Sequence, residues 1–83
     1  MKRTDDSICS LNEVQPNERV VMVGMRGGKG LIGRLTALGF TPGVELTMVQ
    51  NYHHGPLIVS VRDTRVALGR GEASHILVRR NNA

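Results

Sequence analysis

Short apolar runs, separated by glycine, proline, asparagine and aspartate, occupy most of this sequence. Within these runs, apolar and polar side chains alternate, or β-branched residues dominate, as is typical of short strands with one buried face. The predicted strands are 19–25, 44–49, 57–62, 66–68 and 76–78. Five short strands joined by tight turns predict a mainly-β fold, a small and partly closed barrel that limits exposed sheet edges.

One segment departs from the strand pattern. Between residues 31–38, leucines recur at i, i+4 and i+7, which predicts a short helix with one apolar face. Gly39 stands where a left-handed residue ends such a helix, and Pro42 prevents its continuation. Pro42 and Gly43 suit the central positions of a type II turn. We therefore expect one short α-helix, inserted after the first strand.

The chain has 83 residues, which is enough for one domain and leaves no room for a catalytic cleft between two domains. Its only aromatic residues are Phe40 and Tyr52, so the core must be aliphatic. The predicted organisation is a disordered start at 1–7, a single barrel domain at 8–79 and a polar tail at 80–83.

The start of the chain does not resemble a secretory signal. Lys2 and Arg3 are followed by Asp5 and Asp6, where a signal peptide needs an apolar run. No apolar run approaches the length that spans a bilayer. A single cysteine, Cys9, excludes an intramolecular disulfide and fits a reducing compartment. These features predict a cytoplasmic protein that meets a membrane only through a partner.

The net charge of +4 and the isoelectric point of about 10.2 suggest an acidic partner, which could be nucleic acid, anionic lipid or a protein surface. Binding of single-stranded nucleic acid usually needs aromatic platforms, which this chain lacks, so nucleic acid is not the expected partner. If it were the partner, the cluster Arg62, Arg65, Arg70, Arg79 and Arg80 would bind it.

No catalytic constellation is visible. The glycine-rich loop at 27–30 lacks the spacing of a phosphate-binding loop, because Lys29 is followed by glycine instead of serine or threonine. No serine lies in a nucleophile motif, and no basic cluster accompanies Cys9 to lower its pKa. We expect a protein that is not an enzyme and uses no cofactor.

No intrinsic metal site is expected either, because one cysteine cannot supply a structural zinc set and the acidic residues are scattered. Adjacent histidines in a loop diverge, so His53 and His54 make a poor chelate alone. The metal hypothesis that remains is an adventitious surface site, at which these two histidines share a transition-metal ion with a second chain.

Residues 31–43, which read LIGRLTALGFTPG, resemble the helix, the "LGxTPG" corner and the following strand of the FeoA (ferrous iron transport protein A) family. The opening at 10–16, the Gly55-Pro56 loop, the strand at 66–68 and the stretch at 72–76 agree with that family in order and spacing. The resemblance covers nearly the whole chain.

Membership of this family implies an SH3-like barrel that assists the FeoB-type membrane transporter of ferrous iron by docking onto its cytosolic part. Exposed residues near the first loop, the helix and the hairpin tip would then contact the partner, and we assign this role to Arg26, Arg34 and Tyr52. Homodimerisation stays open. The alternative function is a regulatory module related to the C-terminal domain of iron-dependent repressors, or a barrel that binds nucleic acid.

Overall fold

A computed structural model describes residues 8–80 and consists of one antiparallel sheet with short helical connections. The strands are β1 (Ile8–Ser10), β2 (Arg19–Met25), β3 (Glu45–Gln50), β4 (Leu57–Val61), β5 (Thr64–Leu68) and β6 (Ile76–Arg80). The helices are α1 (Lys29–Ala37) and α2 (Arg70–Ala73), and a 3-10 turn covers Leu11–Glu13. The predicted start at 1–7 and the tail residues 81–83 lie outside the described residues.

The six strands follow the order β1-β6-β2-β3-β4-β5, and every pairing is antiparallel. The register shifts between Met22 and Gly24 in β2 and between Met48 and Gln50 in β3. An irregularity of this kind bends a strand and increases its twist. The two central strands are therefore bent at the points where the sheet must curve around its core.

The core lies against one face of this single sheet. In β4, Leu57, Val59 and Val61 are buried, while the side chains between them are half-buried. The remaining strand residues of the core are Val20, Met22, Leu46, Met48, Leu68, Ile76 and Val78. The curved sheet encloses these side chains together with fully buried residues of the helices and connections, which are Leu11, Val14, Leu35, Phe40 and Ala73.

Helix α1 ends as its sequence predicts. Gly39 has a φ of 107°. The N–H of Gly39 donates to the Thr36 carbonyl at 3.0 Å, and that of Phe40 to the Leu35 carbonyl at 3.1 Å. These bonds satisfy carbonyls that the last helical turn leaves free, and they direct Phe40 into the core, where it is fully buried.

The turn after α1 is also confirmed. Gly43 has a φ of 92°, which is the left-handed conformation that a type II turn requires at its third position. The N–H of Val44 donates to the Thr41 carbonyl at 3.1 Å and closes the turn.

Three details of the sequence prediction are wrong. The sheet has six strands, because the three-residue β1 pairs with β6, so α1 follows the second strand. The β4–β5 turn consists of Arg62 and Asp63, with φ values of 51° and 65°, so Arg62 does not belong to β4, and β5 begins at Thr64, two residues earlier than predicted. The last strand continues to Arg80, one residue into the predicted tail, because its pairing with Val20 extends that far. The mainly-β architecture itself is confirmed.

Candidate partner-docking site

A hydrogen-bond network centred on one buried amide holds the loop between β3 and β4. Asn51 is only 3% exposed. Its Nδ2 donates to the carbonyls of Asn12 at 3.1 Å and Val14 at 2.8 Å. Its Oδ1 accepts hydrogen bonds from the His53 N–H at 3.1 Å and from Arg70 Nη1 at 2.9 Å. The amide thus uses its full bonding capacity, and it fixes the loop to the 3-10 turn and to α2.

Arg70 extends the same network from α2. Its Nη2 donates to the Asn12 carbonyl at 3.1 Å, and its Nη1 also lies 3.5 Å from the Gly55 carbonyl. The planar guanidinium group presents several donors in one plane, so a single side chain can connect three segments. Arg70 therefore has a structural role, which the sequence did not indicate.

The tip of this loop projects from an anchored base. Tyr52 is 66% exposed, and His53 and His54 are exposed beside it. His53 has a φ of 70°, which is a left-handed conformation, and its N–H donates a hydrogen bond to Oδ1 of Asn51. The loop thus presents one aromatic ring and two imidazole rings to solvent.

Arg34 connects the two helices. Its guanidinium forms an ion pair with Oε2 of Glu72 in α2, while the other oxygen of that carboxylate accepts the Gly69 N–H at 3.1 Å. The Arg34 side chain remains 61% exposed. The pair joins residues that are 38 positions apart in the chain, so spacing within α1 could not reveal it.

Arg26 directly follows β2 and is exposed. Its N–H donates to the His75 carbonyl at 2.8 Å. The next residue, Gly27, has a φ of 121°, and a Cβ atom there would lie 3.1 Å from a methyl carbon of Leu31. Glycine is therefore required at this position, which predisposes the chain to turn from β2 towards α1.

All three predicted docking residues are linked to one short segment, residues 70–75. Arg26 bonds to its last residue, Arg34 pairs with Glu72, and the loop of Tyr52 is held by Arg70. We call the surface formed by residues 70–75, the loop at 51–56, Arg26 and Arg34 the α2 corner. It combines an exposed ring with two exposed guanidinium groups.

Two open depressions lie outside the α2 corner. One, of about 290 Å³, lies on the outer side of β3 and β4, and the other, of about 560 Å³, lies beside the segment 15–18. Neither is lined by a residue of the α2 corner. The exposed residues Arg26, Arg34 and Tyr52 thus lie outside both depressions.

Of the five arginines in the nucleic-acid alternative, two have internal roles. Arg70 belongs to the Asn51 network. Arg80 donates from Nε to Glu18 at 2.7 Å and from Nη2 to the Glu13 carbonyl at 2.8 Å. Both guanidinium groups are at least partly shielded, so their charge serves the packing of the N-terminal segment against α2 and β6.

The other three arginines are exposed. Arg62 lies 3.4 Å from the Thr41 hydroxyl, while Arg65 and Arg79 form no side-chain hydrogen bond with any described residue. Arg65 is in β5 and Arg79 in β6, which are not neighbours in the sheet. Only three of the five arginines are therefore exposed, and two of these, Arg65 and Arg79, lie on strands that do not pair with each other.

Within residues 8–80, no group of three or more histidine, cysteine, aspartate or glutamate side chains could hold a metal ion. Cys9 is half-buried in β1, and burial raises the pKa of its thiol, although the charge of Arg80 acts in the opposite direction. A thiol with a raised pKa is a poor nucleophile at neutral pH. Over the same residues, neither helix has the length and apolar character that a membrane span requires.

The antiparallel sheet with its short helices defines a small SH3-like domain. The family model of the FeoA domain matches residues 9–80. This chain belongs to the FeoA family.

Similar proteins agree with this assignment. The "Putative Fe(2+) transport protein A" of Methanocaldococcus jannaschii is 34% identical over 61 residues, which are 74% of this chain and 73% of that protein. A crystal structure of an iron uptake regulatory protein, FeoA, has a TM-score of 0.83 and 32% identity, and the match covers 87% of this chain and 96% of that one.

The zinc complex of Stenotrophomonas maltophilia FeoA, an SH3-domain protein, has a TM-score of 0.74 and 32% identity over 83% of this chain and 87% of that one. A manganese-dependent transcriptional repressor shares the fold alone, with a TM-score of 0.80 and 15% identity over 88% of this chain and 41% of that one.

Proposed function

We propose that this chain is a non-enzymatic accessory protein of ferrous iron uptake. It acts in the cytoplasm by docking onto the cytosolic part of a FeoB-type transporter, and it modulates that transporter. Membership of the FeoA family supports the iron transport role. The observation that carries the docking role is the α2 corner, where exposed Tyr52, Arg26 and Arg34 are all linked to one segment.

Tyr52 is the expected anchor of the docking surface. An exposed tyrosine buries a large area on binding, and aromatic side chains are enriched among residues that dominate interface energies. The Asn51 network already fixes the base of its loop, so docking orders few additional groups, and less entropy is lost on binding.

Arg34 is able to exchange its partner. Its ion pair with Glu72 is largely exposed, and an exposed ion pair of this kind contributes at most about 1 kcal/mol. A carboxylate on a partner protein can therefore compete for the guanidinium. We expect acidic residues on the transporter surface that faces Arg26 and Arg34.

The test is binding of the purified full chain to the isolated cytosolic domain of the ferrous transporter. It is measured at low and moderate salt, with and without nucleotide, and bulk RNA is the comparison ligand. We expect saturable binding that survives moderate salt. Tyr52→Ala should weaken it about tenfold, or about 1.4 kcal/mol, and Arg26→Ala should weaken it more than the matched variant Arg79→Ala.

Two results would contradict the proposal. One is the absence of binding to the transporter domain together with salt-sensitive retention of RNA, which the triple variant Arg62→Gln, Arg65→Gln, Arg79→Gln abolishes. The other is equal loss of transporter binding in Arg26→Ala and Arg79→Ala, because net charge alone would then control the affinity.

The loop tip also carries the two histidines of the metal hypothesis. Zinc commonly has four ligands, so His53 and His54 complete a set only with two ligands from a second chain. We expect zinc to increase the measured mass of the chain towards a dimer, and the variant with both histidines changed to alanine should stay monomeric. A zinc-induced dimer in that variant would refute this assignment.

A further inference from the structure

Strand β5 is an edge of the sheet. It pairs with β4 on one side, and within residues 8–80 no strand pairs with its other side. An unpaired edge is a template for another extended chain. Natural proteins often protect such an edge, so its particular side chains decide whether it can accept a strand.

The backbone groups that point away from β4 follow from the turn. A two-residue hairpin turn makes its flanking residues, Val61 and Thr64, a hydrogen-bonded pair, and such pairs alternate along an antiparallel ladder. Arg65 and Ala67 therefore occupy the intervening positions, where N–H and C=O point outwards. Neither residue forms a backbone hydrogen bond to a described residue outside the strands.

The side chains at these two positions differ in size and charge. Arg65 is exposed and has no salt bridge within the described residues. Ala67 is exposed and small, and it pairs across the ladder with the half-buried Ile58. Between them, Val66 points towards the core and is only half-buried. Among the described residues, the edge thus offers one guanidinium without a salt bridge, on Arg65, and two half-buried apolar side chains, on Val66 and the neighbouring Ile58.

We propose that the free edge of β5 binds an extended segment of an acidic partner protein by antiparallel strand addition. The added strand bonds to the outward N–H and C=O groups of Arg65 and Ala67. Opposite Arg65 it carries an acidic residue, and opposite Ala67 it carries a large apolar residue that covers Ile58. The segment therefore reads apolar, apolar, acidic from its N-terminus.

Charge favours an acidic partner over a second copy of this chain. Each copy has a net charge of +4, so pairing two copies at an edge brings like charges together. An acidic segment pairs with Arg65 directly and is attracted by the charge of the whole domain. β5 leads into α2 through Gly69, but Arg65 and Ala67 are not residues of the α2 corner, so strand addition at this edge can be measured apart from transporter docking.

The test uses the full chain and three nine-residue peptides with blocked termini. The first has the central residues Leu-Val-Glu and the second has Leu-Val-Lys. The third repeats Leu-Val-Glu, but the leucine and glutamate amides, which would bond to β5, are N-methylated. Amide exchange and chemical shifts are measured by NMR during each titration. We expect the glutamate peptide to slow exchange of the Arg65 and Ala67 amides at least tenfold. The lysine peptide and the methylated peptide should leave it unchanged.

Two variants separate charge from backbone pairing. Arg65→Glu should weaken binding of the glutamate peptide at least tenfold, and this variant should bind the lysine peptide instead. The control Arg79→Glu makes the same charge change on β6 and should have a smaller effect. Ala67→Pro removes an outward donor without removing a bond to β4, and proline is tolerated at such edge positions. It should abolish peptide binding and leave binding to the transporter domain unchanged.

Several results would overturn the proposal. They include unchanged exchange with every peptide and equal effects of Arg65→Glu and Arg79→Glu. If the Arg65 and Ala67 amides of the free chain become more protected from exchange as the protein concentration rises, the occupant is a second copy of this chain. Protection in the free chain that disappears when residues 1–7 are deleted would identify that segment as the occupant.

Discussion

The two hairpin connections of β4 are held in opposite ways. The β4–β5 turn has two residues, Arg62 and Asp63, both with positive φ, and its shape follows from local backbone geometry. The loop from β3 to β4 has six residues, from Asn51 to Pro56, and side chains and carbonyls from distant segments hold it. A short turn is thus a local property, while the long loop is a product of the whole fold.

This difference bears on recognition. The short turn sets the register of β5 and therefore the direction of its outward backbone groups. The long loop sets the position of Tyr52, and it can do so only when the 3-10 turn and α2 are in place. Damage to the fold should therefore affect the loop tip before it affects the edge.

The largest effect is expected for Asn51→Ala. The substitution leaves the Val14 carbonyl and the His53 N–H without their side-chain partner, and Arg70 Nη1 keeps only its long contact with Gly55, while Arg70 Nη2 still donates to the Asn12 carbonyl. Each such group costs about 1–3 kcal/mol, so we expect a loss of about 3 kcal/mol in the free energy of unfolding, measured with urea. The control is Gln15→Ala, an exposed amide. A loss below 1 kcal/mol would mean that the loop keeps its conformation without the hydrogen bonds of Asn51.

Arg70→Met should have the next largest effect. It removes the bonds to Asn51, Asn12 and Gly55 while it keeps much of the aliphatic stem. Hydrogen bonds from a charged donor contribute about 1.5–3 kcal/mol, and we expect a loss of about 2 kcal/mol, with faster amide exchange in the loop. Arg79→Met, an exposed match, should change neither quantity. Equal losses in the two variants would refute the structural role of Arg70.

In the short turn, a substitution is expected to increase the free energy of unfolding. Asn-Gly is the preferred pair in a two-residue turn with positive φ, so Arg62→Asn combined with Asp63→Gly should stabilise the chain by about 1 kcal/mol. The only side-chain bond lost within the described residues is a long one, from Arg62 to Thr41. Thermal unfolding provides the measurement. A destabilised double variant would show that side chains, and not backbone geometry, shape this turn.

The smallest effect is expected at Arg34. Its ion pair with Glu72 is largely exposed, so Arg34→Ala should cost about 0.5 kcal/mol, and high salt should remove the difference. A double-mutant cycle with Glu72→Gln isolates the pair, because glutamine retains an acceptor for the Gly69 N–H. A coupling energy above 1.5 kcal/mol would contradict this expectation and show that the pair stabilises the fold as the Asn51 network does.

Local signals were readable in the sequence and non-local ones were not. Gly39 and the Pro42-Gly43 pair have conformations that their own chemistry requires, and the structure confirms both. By contrast, β1 is a strand because β6 pairs with it, and three residues carry too weak a pattern to show this. Asn51 resembles an ordinary turn residue, and nothing adjacent to it indicates burial.

The same reasoning applies to the site. Tyr52 could be found from sequence, because a lone tyrosine beside two histidines in a loop is expected to be exposed. Arg70 could not be distinguished from the other arginines, since its partners lie 15, 19 and 58 positions away. A count of basic residues therefore overestimates the charge that is available to a partner.

The position of β6 has a consequence for synthesis of the protein. This strand follows all the other described strands in the chain, yet it lies between β1 and β2. While residues 76–80 are still inside the ribosome, β1 has no neighbour and β2 has only β3. The strands β2 to β5 can pair in sequence before that point, but β1 gains its partner, and β2 its second neighbour, only after β6 has emerged.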